Sequence, residues 1–549
     1  MQCHRHSREE ALFPEKHFSD SSRGKESANG DLRGFFTGIQ ADFRFDFVSN
    51  PNYFPPMASP LRLAFLLPLL WLGNPHASQA TIKDDIGYTR LVNELTAAGK
   101  PIPDGAGVTL SQAEAEDGGV SGKYVPNPTR YPGVTLVNRS ELALPSTISG
   151  HANGVADVIY GSSGLASGIT NVDLYYAGHW LGGGMLRGGF PDAPPLLETT
   201  DISNHSWVGN GSTTAESLAL LNRLDISAAI GGHLPIVGVN NGSSGRYLLG
   251  GAYNIISVGV SSGNHKGPPG SLNPGVTGPH IVVPTSFTSF ATPYVTGAAA
   301  MLIQTARQYT PGDATNADRP EVIKAALLAG ATQREFPGWS HTETAPLDAT
   351  FGAGELNIAN SYHILTGGKQ TASPTLPVAA TGWDYQSLSL GEAVGYRLEL
   401  ALPGAFQAAL TWLNIPVPTD NYDTYDQNLA NLNLFLYRIG EGDALDLVAQ
   451  SIAPAGNVEF LTLPTLESGS YLLSLGYPSN AVGTRLDEIP YALAWRTAMV
   501  PEPSTWALLL AGGGWILLWR LRRMKRAASK GAQATFASVS TAAPGWSQP

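Results

Sequence analysis

A chain of 549 residues with 43% hydrophobic content has enough apolar side chain for at least one large core and room for two, which excludes a small module. Its net charge is −11, and no basic run interrupts the stretch between the two ends, so nucleic acid is excluded as an expected partner. Only 14% of residues are charged, against about a quarter in a typical soluble domain, so Ser, Thr, Asn and the 62 glycines must cover the surface, as in exported proteins. The single Cys3 rules out an internal disulfide framework and a cysteine-based metal site.

Residues 1–56 are polar and aperiodic. Met57 then opens a basic segment through Arg62, an apolar run from Leu63 to Leu72, and a small-residue exit at Ser78-Gln79-Ala80. These are the three parts of an export signal. The expectation is an upstream extension at 1–56 from a mis-assigned start, a signal peptide at 57–80, and an exported chain beginning near Thr81; the alternative is a short membrane anchor behind a polar arm.

A short helix is expected from Ile82 to Lys100. The strand-like stretch Gly105 to Glu116 follows and ends in an acidic group, Glu114, Glu116 and Asp117, any of which suits the partner of a base; a solvated acidic turn is the plainer reading. His151 stands in Ser149-Gly150-His151-Ala152-Asn153-Gly154-Val155-Ala156-Asp157, just ahead of a helical pattern, and its ordinary pKa near 6.5 suits proton transfer at neutral pH. Gly182-Gly183-Gly184 near Gly188-Gly189 lacks the strand, turn and Lys-Ser/Thr pair of a phosphate loop. An apolar strand, Pro235 to Val239, runs into Asn240-Asn241-Gly242, otherwise an ordinary turn signal. Ala252 to Val260 reads as another buried strand.

The segment Phe287-Thr288-Ser289-Phe290-Ala291-Thr292-Pro293-Tyr294-Val295-Thr296-Gly297 throws a serine onto the first turn of a core helix, with Val295, Ala298, Ala299, Leu302 and Ala306 at helical spacing and Pro293 near the helix start. There Ser289 Oγ lies at the positive end of the helix dipole, where unpaired N–H groups can receive an oxyanion; the plainer reading is a helix cap. The segment resembles the serine motif of the subtilisin-like serine proteases (subtilases), Gly-Thr-Ser-Met-Ala-(Ser/Thr)-Pro-His-Val-Ala-Gly. Thr288, Ser289, Ala291, Thr292, Pro293, Val295 and Gly297 match, while Phe287 replaces a glycine and Tyr294 a histidine. In the family's order of acid, histidine and serine, the resemblance puts Glu114 at the aspartate, His151 at the catalytic histidine and Ser289 at the nucleophile. It also puts Asn241, with Asn240 as the alternative, at the oxyanion donor. Ser206 and Trp207, within Ile202 to Gly209, fall on the strand edge that pairs with extended substrate. Pro279 to Pro284 and Phe351 to Asn357 resemble further family segments, so the likeness spans about residues 82–366.

Strands alternating with helices over 81–370 imply an α/β fold, a doubly wound parallel sheet with its site at the carboxyl ends of the strands, which the resemblance implies is subtilisin-like. From about Thr371 apolar residues alternate: Val394, Tyr396, Leu398, Leu400 and Leu402; Leu432, Leu434 and Leu436; Tyr471, Leu473 and Leu475; Tyr491, Leu493 and Trp495. This predicts a C-terminal antiparallel β-sandwich domain at 371–498. No cofactor is expected; Asp420, Asp423 and Asp426 are a calcium candidate or a solvated acidic loop. Val500-Pro501-Glu502-Pro503-Ser504-Thr505, the apolar run Trp506 to Trp519 and the basic cluster Arg520 to Arg526 resemble a PEP-CTERM sorting signal at 500–526, with a polar tail at 527–549. Together these imply an exported serine endopeptidase acting on polypeptides, processed by a C-terminal sorting peptidase and held at the cell envelope or exopolysaccharide, or by a single C-terminal anchor. The alternative is an inactive subtilase-like scaffold that binds polypeptide or extracellular matrix.

Overall fold

The computed structural model describes residues 81–499 except 141–146, Ser244, Ser271, Thr277, 310–313, Arg334, Gln427 and 479–485. The export segment at 57–80 and the sorting segment and tail at 500–549 lie outside the described residues. The helix expected from Ile82 to Lys100 is two, α1 (Ile82–Asp85) and α2 (Tyr88–Ala97). Gly87 separates them with φ +73, a left-handed conformation that side chains rarely adopt. Thr81 and Asp84 cap α1 reciprocally.

Alternation of strand and helix then continues: β1 (Leu110–Glu114), β2 (Thr135–Asn138), α3 (Gly150–Ile159), β3 (Asn171–Tyr176), α4 (Ala177–Gly182), β4 (Ile202–His205), α5 (Thr214–Gly231) and β5 (Leu234–Gly238). After these come the small strand β6 (Asn240–Asn241), β7 (Ile256–Val260), the small strand β8 (His265–Lys266), β9 (Ile281–Val283), α6 (Thr288–Tyr309), α7 (Ala314–Ala317), α8 (Pro320–Gly330) and α9 (Ile358–Thr366). Seven strands form one sheet in the order β2-β3-β1-β4-β5-β7-β9, every pair parallel. Successive side chains point to opposite faces, and both faces are covered. Leu110, Val172, Leu174, Ile202 and Ile236 join the core that includes Val155 of α3 and Val295 of α6. Ala113, Tyr175 and Val237 pack with Trp180 of α4 and Leu221 of α5.

Eleven further strands follow: β10 (Ser373–Pro377), β11 (Gly382–Ser389), β12 (Ala393–Leu400), β13 (Gly404–Trp412), β14 (Val417–Pro418), β15 (Tyr425–Asp426), β16 (Asn433–Ile439), β17 (Leu445–Ser451), β18 (Val458–Leu466), β19 (Gly469–Gly476) and β20 (Glu488–Met499). Two sheets, β10-β12-β19-β16-β17 and β11-β20-β13-β18, enclose a core containing Tyr396, Leu398, Leu434, Leu473, Leu493 and Trp495. All their strand pairs are antiparallel except β10 with β12. The expected alternation holds, except that Leu402 lies beyond the end of β12 and is 61% exposed.

Besides the sandwich's own core, the two segments share a packed boundary. The four-stranded sheet turns its second face to α8 and α9, and Trp383, Val458, Phe460 and Ala494 join the core of the parallel sheet. Polar fasteners cross the same boundary. Asn254 accepts from Asn414 N (2.8 Å) and donates to Asn414 O (2.6 Å), and Asn457 Nδ2 donates to Tyr253 O (3.0 Å). Asp225 is buried beside them, accepting from Tyr253 N (3.0 Å) and Asn254 N (2.8 Å). Burial pushes its carboxyl up and the ammonium of nearby buried Lys324 down, against their mutual attraction. A chain ending at residue 370 is therefore expected not to fold. Exposing Trp383's site and the α8 face forfeits about 1.5–3 kcal/mol per large side chain, against a total stability of about 5–15 kcal/mol. Near-UV circular dichroism of 81–370 beside 81–499 checks this, and a cooperative urea transition in the shorter chain overturns it.

Candidate active site

In the parallel sheet β1 is flanked by β3 and β4, so the chain leaves it first to one side and later to the other. The carboxyl ends of β1 and β4 mark the crevice where such sheets bind ligands. Glu114 is the last residue of β1 and is 1% exposed. Ser149 caps α3, its hydroxyl accepting from Ala152 N (3.0 Å), and this sets His151 in the first turn. Glu114 Oε2 lies 2.8 Å from His151 Nδ1. A carboxylate there holds Nδ1 protonated and leaves Nε2, which has no hydrogen-bond partner among the described residues, as the basic nitrogen. Burial disfavours the imidazolium, yet the charge and hydrogen bond of Glu114, helped by Asp117, outweigh it and raise the His151 pKa above its ordinary value.

The neighbouring acids serve other purposes. Glu116 lies beyond the strand and accepts from Gly122 N (2.8 Å). Asp117 accepts from Gly150 N (3.0 Å) and Ser149 Oγ (3.3 Å) at the start of α3, where a negative charge complements the helix dipole, and pairs with Lys123 at 3.4 Å. Partial burial works against that carboxylate, but Lys123 and the Gly150 and His151 N–H groups hold its pKa below the usual range.

Ser289 is the second residue of α6 and is half-buried. Among the first N–H groups of this helix, Thr288 donates to Asn241 Oδ1 (2.9 Å), and Phe290 and Ala291 both donate to Phe287 O (3.0 Å). Among the described residues neither the Ser289 N–H nor Ser289 Oγ has a hydrogen-bond partner. Asn241 Oδ1 also accepts from Thr288 Oγ1 (3.1 Å), and among the described residues Asn241 Nδ2 donates to none. Asn240 is buried instead and donates to Asn241 O (3.1 Å). Pro293 differs from expectation: because the helix starts at Thr288, the proline sits in the second turn and removes the N–H that would reach the Ser289 carbonyl. The starts of α3 and α6 meet through Phe290, whose ring centroid is 5.7 Å from that of His151. Gly154 allows this approach, since a Cβ there would lie 2.7 Å from Phe290 Cε1.

One expectation is corrected. Ser206 and Trp207 follow β4, whose pairing with β1 and β5 stops at His205, and at 2% and 5% exposed they are buried rather than set on an open edge. Ser206 Oγ accepts from Asn204 Nδ2 (3.0 Å), and Trp207 packs edge-on to His205. Asp423 pairs with the fully buried Arg223 at 3.0 Å while its own side chain stays 38% exposed. Asp420 and Asp426 are exposed, and no group of three potential metal ligands occurs among the described residues. Gln112, which touches Glu114, was missed, although its place two residues earlier on the same strand face was a usable signal.

Fold and site together define an α/β protein in which a carboxylate–imidazole pair at the ends of parallel strands neighbours a serine at a helix N-terminus. No family model matches the chain, and no curated protein does. Solved structures that match it in part include Aeromonas hydrophila PliG, a periplasmic lysozyme inhibitor of g-type lysozyme, at 17% identity over 24% of this chain and 92% of that one, with a TM-score of 0.15. The Yersinia pseudotuberculosis-derived mitogen matches at 14% identity over 24% of this chain and 93% of its own, with a TM-score of 0.15. CBM35 from Cellvibrio japonicus Abf62 matches at 14% identity over 24% and 83%, with a TM-score of 0.13. Likeness this slight carries no argument about activity.

Proposed function

We propose that the chain is an exported serine endopeptidase with a subtilisin-like doubly wound domain, hydrolysing peptide bonds through an acyl-enzyme. The observation that carries this reading is the 2.8 Å contact between Glu114 and His151, the two residues that the motifs set in the acid and histidine positions. His151 Nε2 takes the Ser289 Oγ proton as the oxygen attacks the scissile carbonyl, then returns it to the leaving amine; water repeats the cycle to release the acid. Ser289 N–H and Asn241 Nδ2 receive the oxyanion. Glu114 keeps His151 in the required tautomer. The Ser289–His151 hydrogen bond forms when substrate is bound. Polypeptides are the substrates, and a sorting peptidase acting on 500–526 delivers the enzyme to the cell envelope or its exopolysaccharide.

A fluorophosphonate probe is expected to label Ser289. The reaction needs neutral His151, so its rate falls as pH drops through the His151 pKa, with a midpoint above the ordinary value of about 6.5. Peptide mapping of the labelled chain checks this, and absence of label at Ser289 across the pH range overturns it. That outcome would favour the inactive scaffold binding polypeptide or matrix, for which Phe287, 48% exposed just before the serine, is the motivating observation.

A further inference from the structure

Glutamate has one more rotatable bond than aspartate, so a glutamate that orients a histidine needs its own restraint. One side chain supplies it. Gln112, fully buried, donates through Nε2 to Glu114 Oε1 (2.9 Å) and to Ala152 O (3.1 Å), while its Oε1 accepts from Tyr160 OH (2.7 Å). Its amide thus grips the free oxygen of the acid and the backbone immediately after His151. The orientation of the amide has one solution, because a carboxylate oxygen only accepts and must face Nε2. Ala152 O, which also only accepts, enforces the same choice, and Tyr160 fits it with its hydroxyl as donor. Burial pushes its hydroxyl far above its ordinary pKa, so it remains a donor. Its ring is wedged edge-on against Tyr131 at 5.1 Å, and Tyr131 in turn donates to Asn153 O (3.0 Å) and Asp157 Oδ1 (3.0 Å) of α3.

We propose that Gln112 and Tyr160 are positioning residues, a buried Tyr160–Gln112–Glu114 chain that holds the carboxylate against His151 Nδ1 and registers β1 with α3. In its kinetic consequences this rests on the hydrolytic reading above. The charged groups facing His151 are Glu114 from β1 and Asp117 with Lys123 from the following turn; α6 contributes the uncharged Phe290 ring. Without Gln112 the carboxylate is free to turn from Nδ1, the imidazolium loses its support, and the His151 titration moves to lower pH.

The test uses the full chain and two readouts, the ring-nitrogen NMR titration of His151 and steady-state peptide hydrolysis. Gln112→Leu is expected to lower the His151 midpoint, and with it the acid limb of kcat/KM, by at least about half a pH unit. The same variant is expected to lower kcat about 10- to 100-fold with KM within about twofold. Tyr160→Phe, which removes only the hydroxyl, moves both in the same direction by less, and carries the test if Gln112→Leu does not fold. Midpoints within about 0.1 pH unit of the unsubstituted chain in every folded variant overturn the proposal, since a role in packing alone lowers stability without moving the titration. If the unsubstituted chain hydrolyses nothing, the hydrolytic reading falls, while the NMR midpoint still decides whether the chain of hydrogen bonds holds the pair.

Discussion

Ser289→Ala is expected to lower kcat for peptide hydrolysis by at least about 10⁴-fold, the order of loss when the nucleophile of an acid–His–Ser triad is removed. Stability is expected to stay within about 0.5 kcal/mol. Ser289 Oγ makes no hydrogen bond in the structure, its side chain is only half-buried, and alanine is the better helix former, so the fold loses nothing when the hydroxyl goes. What disappears is the hydroxyl on the first turn of α6 that is uncommitted among the described residues, since Thr288 Oγ1 donates to Asn241 Oδ1. Burst and steady-state kinetics with a chromogenic peptide, beside a thermal melt, check this. Turnover within tenfold of the unsubstituted chain would place the nucleophile elsewhere.

Glu114→Gln is expected to cost between about 10² and 10⁴ in kcat, whereas Glu116→Gln stays within about tenfold. The hydrogen-bond partners explain why a nearly isosteric change does so much. Gln112 Nε2 faces the inner oxygen of residue 114, so an amide there must turn its carbonyl inward and its NH₂ toward His151. The imidazole then accepts at Nδ1 and carries its proton on Nε2, the nitrogen that has to take the serine proton. Loss of the carboxylate charge also lowers the His151 pKa, so the acid limb of the residual activity moves to lower pH. Glu116 only accepts from Gly122 N, which an amide oxygen does equally well. A crippled Glu116→Gln beside an active Glu114→Gln would overturn the assignment.

Much of the site was legible because its signals are local. A strand that ends in carboxylates, a histidine behind a serine cap, and a serine at the head of an apolar helix are all short-range patterns, and the structure brings Glu114, His151, Asn241 and the first turn of α6 to the same end of the sheet. The period-two alternation from Val394 to Trp495 likewise became two sheets around one core. The misreadings fall where the answer depends on neighbours distant in sequence. Ser206 and Trp207 read as an edge through the family resemblance, and burial decided the matter, Trp207 lying in a cluster with Trp180 and Leu248. The pair of Asp423 with Arg223 could not be read because the two are 200 residues apart in the chain.

The sequence by itself determined the order of strands and helices, though not all their ends, and that an acid, a histidine, an asparagine and a serine lie near element ends, since propensity, capping and periodicity act over a few residues. Only the tertiary structure decided which of Glu114, Glu116 and Asp117 meets His151, because that depends on β1 ending at Glu114 and on Gly150 and Lys123 claiming Asp117. It also decided that residues 371–498 complete the core of residues 81–370. Trp383 and Phe460 look like any sandwich residues in the sequence, and only packing against α8 and α9 buries the second face of their sheet.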